Sequence, residues 1–160
     1  MVLGTVSNEI VSAVPVPRLW KALVKDSSSL IPKILPEVIS KIAILEGDGG
    51  VGIIVHTDFN PAVKELRYWK HRVDTIDDEN FVFLYSIIEG GLIGKKVKST
   101  WFELKFEGNP DGTTSCKLLG EFDTLGKTLP LEEEKEMMGG MVGMFKAVEG
   151  YLLANPNAYA

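Results

Sequence analysis

Few of the side chains able to do chemistry stand in a pattern that would do it. The two histidines, His56 and His71, have neither the paired spacing of a metal site nor that of a nucleophilic triad. The single cysteine, Cys116, excludes an internal disulfide and a thiolate metal cluster. It sits in an apolar–polar alternation and reads as a strand residue, not a catalytic thiol. The run Gly47-Asp48-Gly49-Gly50-Val51-Gly52 invites a phosphate-loop reading, but it lacks the Gly-Lys-Ser/Thr ending. It also joins two strands, where a phosphate loop would open a helix. A tight turn using positive φ is therefore preferred. What remains is fit to hold an apolar molecule. Tyr68 and Tyr85 pair an apolar body with a polar tip. Met137, Met138, Met141 and Met144 offer flexible thioethers that accommodate several shapes. For any one of them, packed core is the simpler reading. No metal or cofactor is expected.

The elements that must position these groups follow from periodicity and breakers. Val2–Val11 reads as a strand. Pro15 and Pro17 then start a helix with apolar residues at 19, 20, 23 and 24. Asp26 to Ser29 break it and cap a second short helix, which ends near Pro36. Six further strands are expected over Val38–Leu45, Ile53–Phe59, Leu66–Ile76, Phe81–Ile88, Lys95–Glu107 and Thr113–Thr124, separated by turn residues. Leu131–Leu153 carries a broad apolar stripe and is a long helix, with glutamates crowding its first turns. Strands joined by short turns make an antiparallel meander. The long helix must bury its stripe, and the sheet's concave face is the large partner available.

Composition bounds the rest. The 160 residues form one domain, 1–160, with 45% hydrophobic and 24% charged residues. A formal charge of −5 argues against a constitutive nucleic-acid binder. The start has no signal-peptide pattern, and no stretch approaches the roughly 20 apolar residues of a membrane span. A cytoplasmic monomer is the simplest expectation.

Three segments together carry a resemblance. Glu46 to Gly52, Tyr85 to Gly94 (Tyr-Ser-Ile-Ile-Glu-Gly-Gly-Leu-Ile-Gly) and Lys146 to Pro156 stand in the order of the glycine loop, central hairpin and helix end of the Bet v 1-like, class ten pathogenesis-related proteins. Arg72-Val73-Asp74 and Leu30-Ile31-Pro32-Lys33 also fit. The resemblance spans essentially the whole chain. It implies an α+β helix-grip (START-like) fold, with a seven-stranded curved antiparallel sheet, two short helices and one long C-terminal helix around a cavity. It further implies intracellular plant defence or stress proteins, pollen and food allergens, and partners that are small hydrophobic plant metabolites or hormones of flavonoid, cytokinin, fatty-acid or steroid type.

Period-two alternation assigns inward faces. These are Phe81, Phe83, Tyr85 and Ile87 on one strand, Leu66, Tyr68, Lys70 and Arg72 on another, and Thr100, Phe102 and Leu104 on a third. The resemblance adds Leu23, Ser29, Ile31, Ile39, Val55, Thr57 and Phe59, and His71 adjoins the pocket face. Gly139, Gly140 and Gly143 suggest room for a ligand or a kink in the long helix. A dry cavity of ~1,000 Å³ would cost on the order of 24 kcal/mol, above a typical total stability of ~5–15 kcal/mol. A large pocket must therefore hold water or ligand, and its walls should mix apolar with polar groups.

An enzymatic alternative stays open. Relatives of the fold include ribonucleases, and Glu149 and Tyr151 match the helix part of that pattern, but the partner acid falls on Lys98. Others condense plant metabolites using a lysine inside the pocket, for which Lys70 is the candidate. An abscisic-acid receptor reading is rejected, because Asn60-Pro61-Ala62-Val63 and Glu89 to Gly94 stand where its gate and latch would be.

Overall fold

The computed structural model describes residues 2–46, 51–61, 67–91, 93–94, 97–125 and 131–160, with the backbone alone described for 2, 3, 46, 131–134 and 136–138. Seven strands, β1 (Val2–Ser12), β2 (Ile39–Glu46), β3 (Ile54–Phe59), β4 (Tyr68–Asp77), β5 (Val82–Gly90), β6 (Val97–Gly108) and β7 (Thr114–Thr124), form one curved sheet. Its order is β1-β7-β6-β5-β4-β3-β2, antiparallel throughout. Helix α1 (Val16–Trp20) runs on as a π-helical turn over Lys21–Lys25, followed by α2 (Ser27–Ile34). The long helix α3 is Leu131–Ala154.

Local chemistry explains the joints. Pro15 and Pro17 open α1, where a missing N–H leaves no bond unmade. In the β4–β5 turn, the Asp77 carboxylate accepts from the backbone N–H groups of Glu79 and Asn80 at 3.0 and 3.1 Å and from the Asn80 amide at 2.9 Å. Phe81, expected to open the strand, instead ends this turn at φ 55°. Its ring lies edge-on to Trp20 at 5.5 Å. Gly90, at φ 80°, closes the β5 end. A Cβ there would sit 2.4 Å from the Tyr68 carbonyl oxygen, so glycine is required.

The packed core lies towards the two short helices. Leu19, Trp20, Leu30, Ile31, Phe106, Phe145, Val148 and Leu152 are each no more than 3% exposed. Among the described residues the backbone of α3 approaches chiefly β1, α1, α2 and the π-helical turn. Arg18 ties down the end of α3. Its guanidinium donates to the carbonyls of Leu152 (3.1 Å), Asn155 (2.9 Å) and Ala158 (2.9 and 3.0 Å). Tyr159 donates to Asp26, holding the C-terminal residues against the joint between the π-helical turn and α2.

Two expected orientations are corrected. On β4 the inward residues are Trp69, His71 and Val73, not Tyr68, Lys70 and Arg72. Trp69 packs edge-on against Phe59 at 4.9 Å, and Val73 is 3% exposed. Tyr68 stacks on His56 at 5.1 Å and donates to Glu89 at 2.9 Å on the outer face, where Lys70 also meets Glu89 at 3.3 Å. The reason is electrostatic. The 68/70/72 face carries two cations whose burial without partners would be far costlier than exposing a tyrosine. Ser29, expected inside, is exposed on α2, where its hydroxyl incurs no desolvation penalty.

Candidate functional site

The concave face has two parts. At the helix end, Leu23, Ile31, Ile39 and Phe59 are buried in the packed cluster. Further along, Val55 and Thr57 (β3), Val73 and His71 (β4), Phe83, Tyr85 and Ile87 (β5) and Thr100 and Phe102 (β6) line the inner side of the sheet. Register brings them together: Tyr85 lies opposite Val73 on β4 and Phe102 on β6, and Ile87 lies opposite His71 and Thr100. Met141 and Met144 of α3 are half-buried against the same core. Leu66 and Gly47 to Gly50 lie outside the described residues, as do the side chains of Met137 and Met138. Val51 and Gly52 are exposed, and Gly52, at φ 88°, has the positive φ of the tight turn expected there.

Tyr85 anchors an aromatic shelf. Its ring centroid lies 5.3 Å from Phe83, 5.5 Å from Phe102 and 5.0 Å from His71. Protein atoms surround Tyr85 and His71 deeply, and desolvation dominates both groups. Burial raises the Tyr85 hydroxyl well above the usual phenol range. Burial also pushes the His71 imidazole down to about 4, while the carboxylate of Asp74 pulls weakly the other way. Yet neither residue is fully buried: both, like Phe83 and Leu104, retain accessible surface. His71 Nδ1 is a buried polar atom without a hydrogen-bond partner, one of two among the described residues, with Asp123 Oδ1.

The groups named for catalysis do not converge. Glu149 and Tyr151 are two positions apart on α3, and such residues point to different sides of a helix. Glu149 meets Lys146 at 3.4 Å, while the Tyr151 hydroxyl accepts from Lys33 at 3.4 Å. Lys98 is exposed. Lys70 is on the outer face, and among the described residues no lysine lies on the inner wall. Cys116 is fully buried, and burial pushes its thiol up to about 12, which keeps it protonated and unreactive. Among the described residues no cluster could hold a metal ion. A shallow open groove outside the β4–β5 hairpin, lined by Arg67, Tyr68, Ile88 and Glu89, is separate from the inner wall.

The site residues missed by sequence reasoning are Trp69 and Val73. Their signal was present: the 69/71/73 face is the less charged of the two, and on a one-sided sheet that face turns inward.

Gly139, Gly140 and Gly143 do not make room for a ligand through close contact. All three are exposed, and a Cβ at any of them would meet nothing within 4 Å.

Comparison with known proteins places this architecture. The model of the pathogenesis-related protein Bet v 1 family matches residues 1–155. A class-10 pathogenesis-related protein 1 from Medicago sativa is 44% identical over 153 residues, covering 94% of this chain and 95% of that protein. The major strawberry allergen Fra a 1.08 from Fragaria ananassa is 41% identical over 157 residues, covering 97% of each. The crystal structure of Ara h 8.0201 superposes with a TM-score of 0.84 at 33% identity, covering 96% of this chain and 100% of the other. Norcoclaurine synthase from Thalictrum flavum shares the fold, with a TM-score of 0.82 at 22% identity over 95% of this chain and 87% of its own.

Proposed function

We propose that this chain, which belongs to the Bet v 1 family of pathogenesis-related proteins, is a binder of small hydrophobic plant metabolites or hormones acting in defence or stress, with its site between the concave sheet and α3. One observation carries the reading. His71 and Tyr85 are deep in the protein and still retain accessible surface, so that surface faces an internal space and not bulk solvent. The backbone of α3 draws close to one edge and one end of the sheet, which is consistent with a gap over the central strands. The wall mixes aromatic rings with a few polar tips, as a pocket for an apolar ligand requires.

The protein on this reading is a cytoplasmic monomer without cofactor, and it engages neither membrane nor nucleic acid. No helix among the described residues is long and apolar enough to cross a membrane. A ribonuclease or condensing activity would need converging acids or an inward lysine, and Glu149, Tyr151 and Lys70 supply neither.

The test is displacement of a fluorescent hydrophobic probe by flavonoids, cytokinins, fatty acids and steroids. Saturable binding in the micromolar range, weakened at least about tenfold in Tyr85→Ala, is expected. Absence of any saturable binding by the wild type would sink the proposal.

A further inference from the structure

His71 and Tyr85 stand out from the rest of the inner wall because their polar atoms are not committed to the fold. Thr100, by contrast, spends its hydroxyl on the Glu121 carbonyl at 2.9 Å. Among the described residues the Tyr85 hydroxyl and His71 Nε2 have no hydrogen-bond partner, and neither is among the sealed polar atoms. Only Nδ1 is both sealed and unpartnered. Placing the ring proton on Nδ1 would bury a donor with nothing to receive it, whereas placing it on Nε2 leaves Nδ1 as a bare lone pair. The environment therefore favours the Nε2–H tautomer, with the donor turned to the internal space. Deep burial keeps the imidazole neutral at physiological pH.

Resting on the binding function proposed above, we propose that His71 Nε2–H and Tyr85 Oη–H act as a donor pair that selects neutral, flat ligands bearing a carbonyl oxygen and disfavours carboxylate amphiphiles. The two rings lie 5.0 Å apart at 53°, on neighbouring strands whose register sets His71 opposite Ile87, two residues along from Tyr85. The shelf beneath them is aromatic, with Tyr85 tilted 34° from Phe83 and 36° from Phe102, and offers apolar ring area to a fused aromatic body. A carboxylate would find no cation there: among the described residues no Lys or Arg lies on the inner face, and Lys70 and Arg72 of the same strand are engaged outside with Glu89 and Asp74. Taking an anion out of water without a counter-charge is strongly unfavourable. A site built to donate hydrogen bonds also rejects the analogue that cannot accept them, because its donors are then left unpaired.

The test compares 9-fluorenone with fluorene, which share a rigid flat skeleton and differ by one carbonyl, and adds laurate as the carboxylate amphiphile. Dissociation constants are measured by probe displacement for the wild type, His71→Leu and Tyr85→Phe, each variant first shown to unfold cooperatively. The fluorene-to-fluorenone ratio of dissociation constants is expected to fall roughly tenfold in His71→Leu and several-fold in Tyr85→Phe. Laurate is expected to bind the wild type at least about tenfold more weakly than fluorenone. An unchanged ratio in both variants, or laurate binding as tightly as fluorenone, overturns the donor pair while leaving the pocket standing. Failure of every probe to bind the wild type overturns the pocket and the donor pair together.

Discussion

Replacing His71 by leucine should remove a specific, pH-dependent part of the protein's stability. Burial lowers the imidazole from 6.5 to about 4 in the folded chain, and the unfolded chain keeps the ordinary value. The unfolded state therefore takes up the proton first as pH falls. This group's effect is absent above the unfolded pKa, destabilises progressively as pH drops from 6.5 towards about 4, and stays constant below that. Integrating between pH 7 and pH 5 gives a loss of about 2 kcal/mol, rising to about 3 kcal/mol by pH 4. Leucine has a similar volume and does not titrate. Lowered carboxylates such as Asp77, Asp78 and Glu89 also lose stabilising interactions on acidification. They do so in a lower window, below the ordinary carboxylate pKa, and equally in both proteins, so the difference between wild type and variant isolates His71. The assay is urea unfolding followed by tryptophan fluorescence at pH 7 and pH 5. Between these values the wild type should lose about 2 kcal/mol more than His71→Leu. Parallel losses, with a difference under about 0.5 kcal/mol, would refute the reasoning and mean that water or an unrecognised partner solvates the ring.

Three other outcomes are expected. Gly150→Ala on the exposed side of α3, where a Cβ meets nothing within 4 Å, should raise stability by about 0.5–1 kcal/mol in denaturant titration, because it lowers unfolded-chain entropy without a clash. Arg18→Met should lower stability by about 1–3 kcal/mol and increase hydrogen exchange in the last turn of α3, since three carbonyls lose a charged donor. Cys116 should not react with a thiol reagent at pH 8 in the native protein and should react fully once urea unfolds it; burial holds the thiol at about 12. Rapid native labelling would show that the β1–β7–β6 side of the core opens locally.

Element order was legible because each break is chemical. Asn109 to Gly112 and Asp77 to Asn80 can do little but turn, and β6 and β7 lie within two residues of where the alternation puts them. The wall was legible on β5 and β6, where Phe83, Tyr85 and Ile87 on one strand, and Thr100, Phe102 and Leu104 on the other, alternate against polar neighbours. On β4 the same rule gave the wrong face, the one with Tyr68, Lys70 and Arg72. A period-two reading has no internal check on its phase, and only the charges of Lys70 and Arg72 carry that information. Glu149 and Tyr151 failed differently. Matching residue types on one helix says nothing of where their polar atoms end, and two positions of helix turn them apart. What no periodicity could supply is how α3 sits over the sheet, because that is set by which side chains meet and not by which face they share. Where they meet, around Phe106, Phe145 and Leu152, the interior is sealed. Tyr85 and His71 keep accessible surface instead, and polar atoms without a partner among the described residues, such as His71 Nδ1, are unfavourable for folding unless something completes their hydrogen bonds. The stability given up at that point is consistent with a site kept for a ligand, since a sequence under selection for packing alone would more readily place a second phenylalanine and a leucine there.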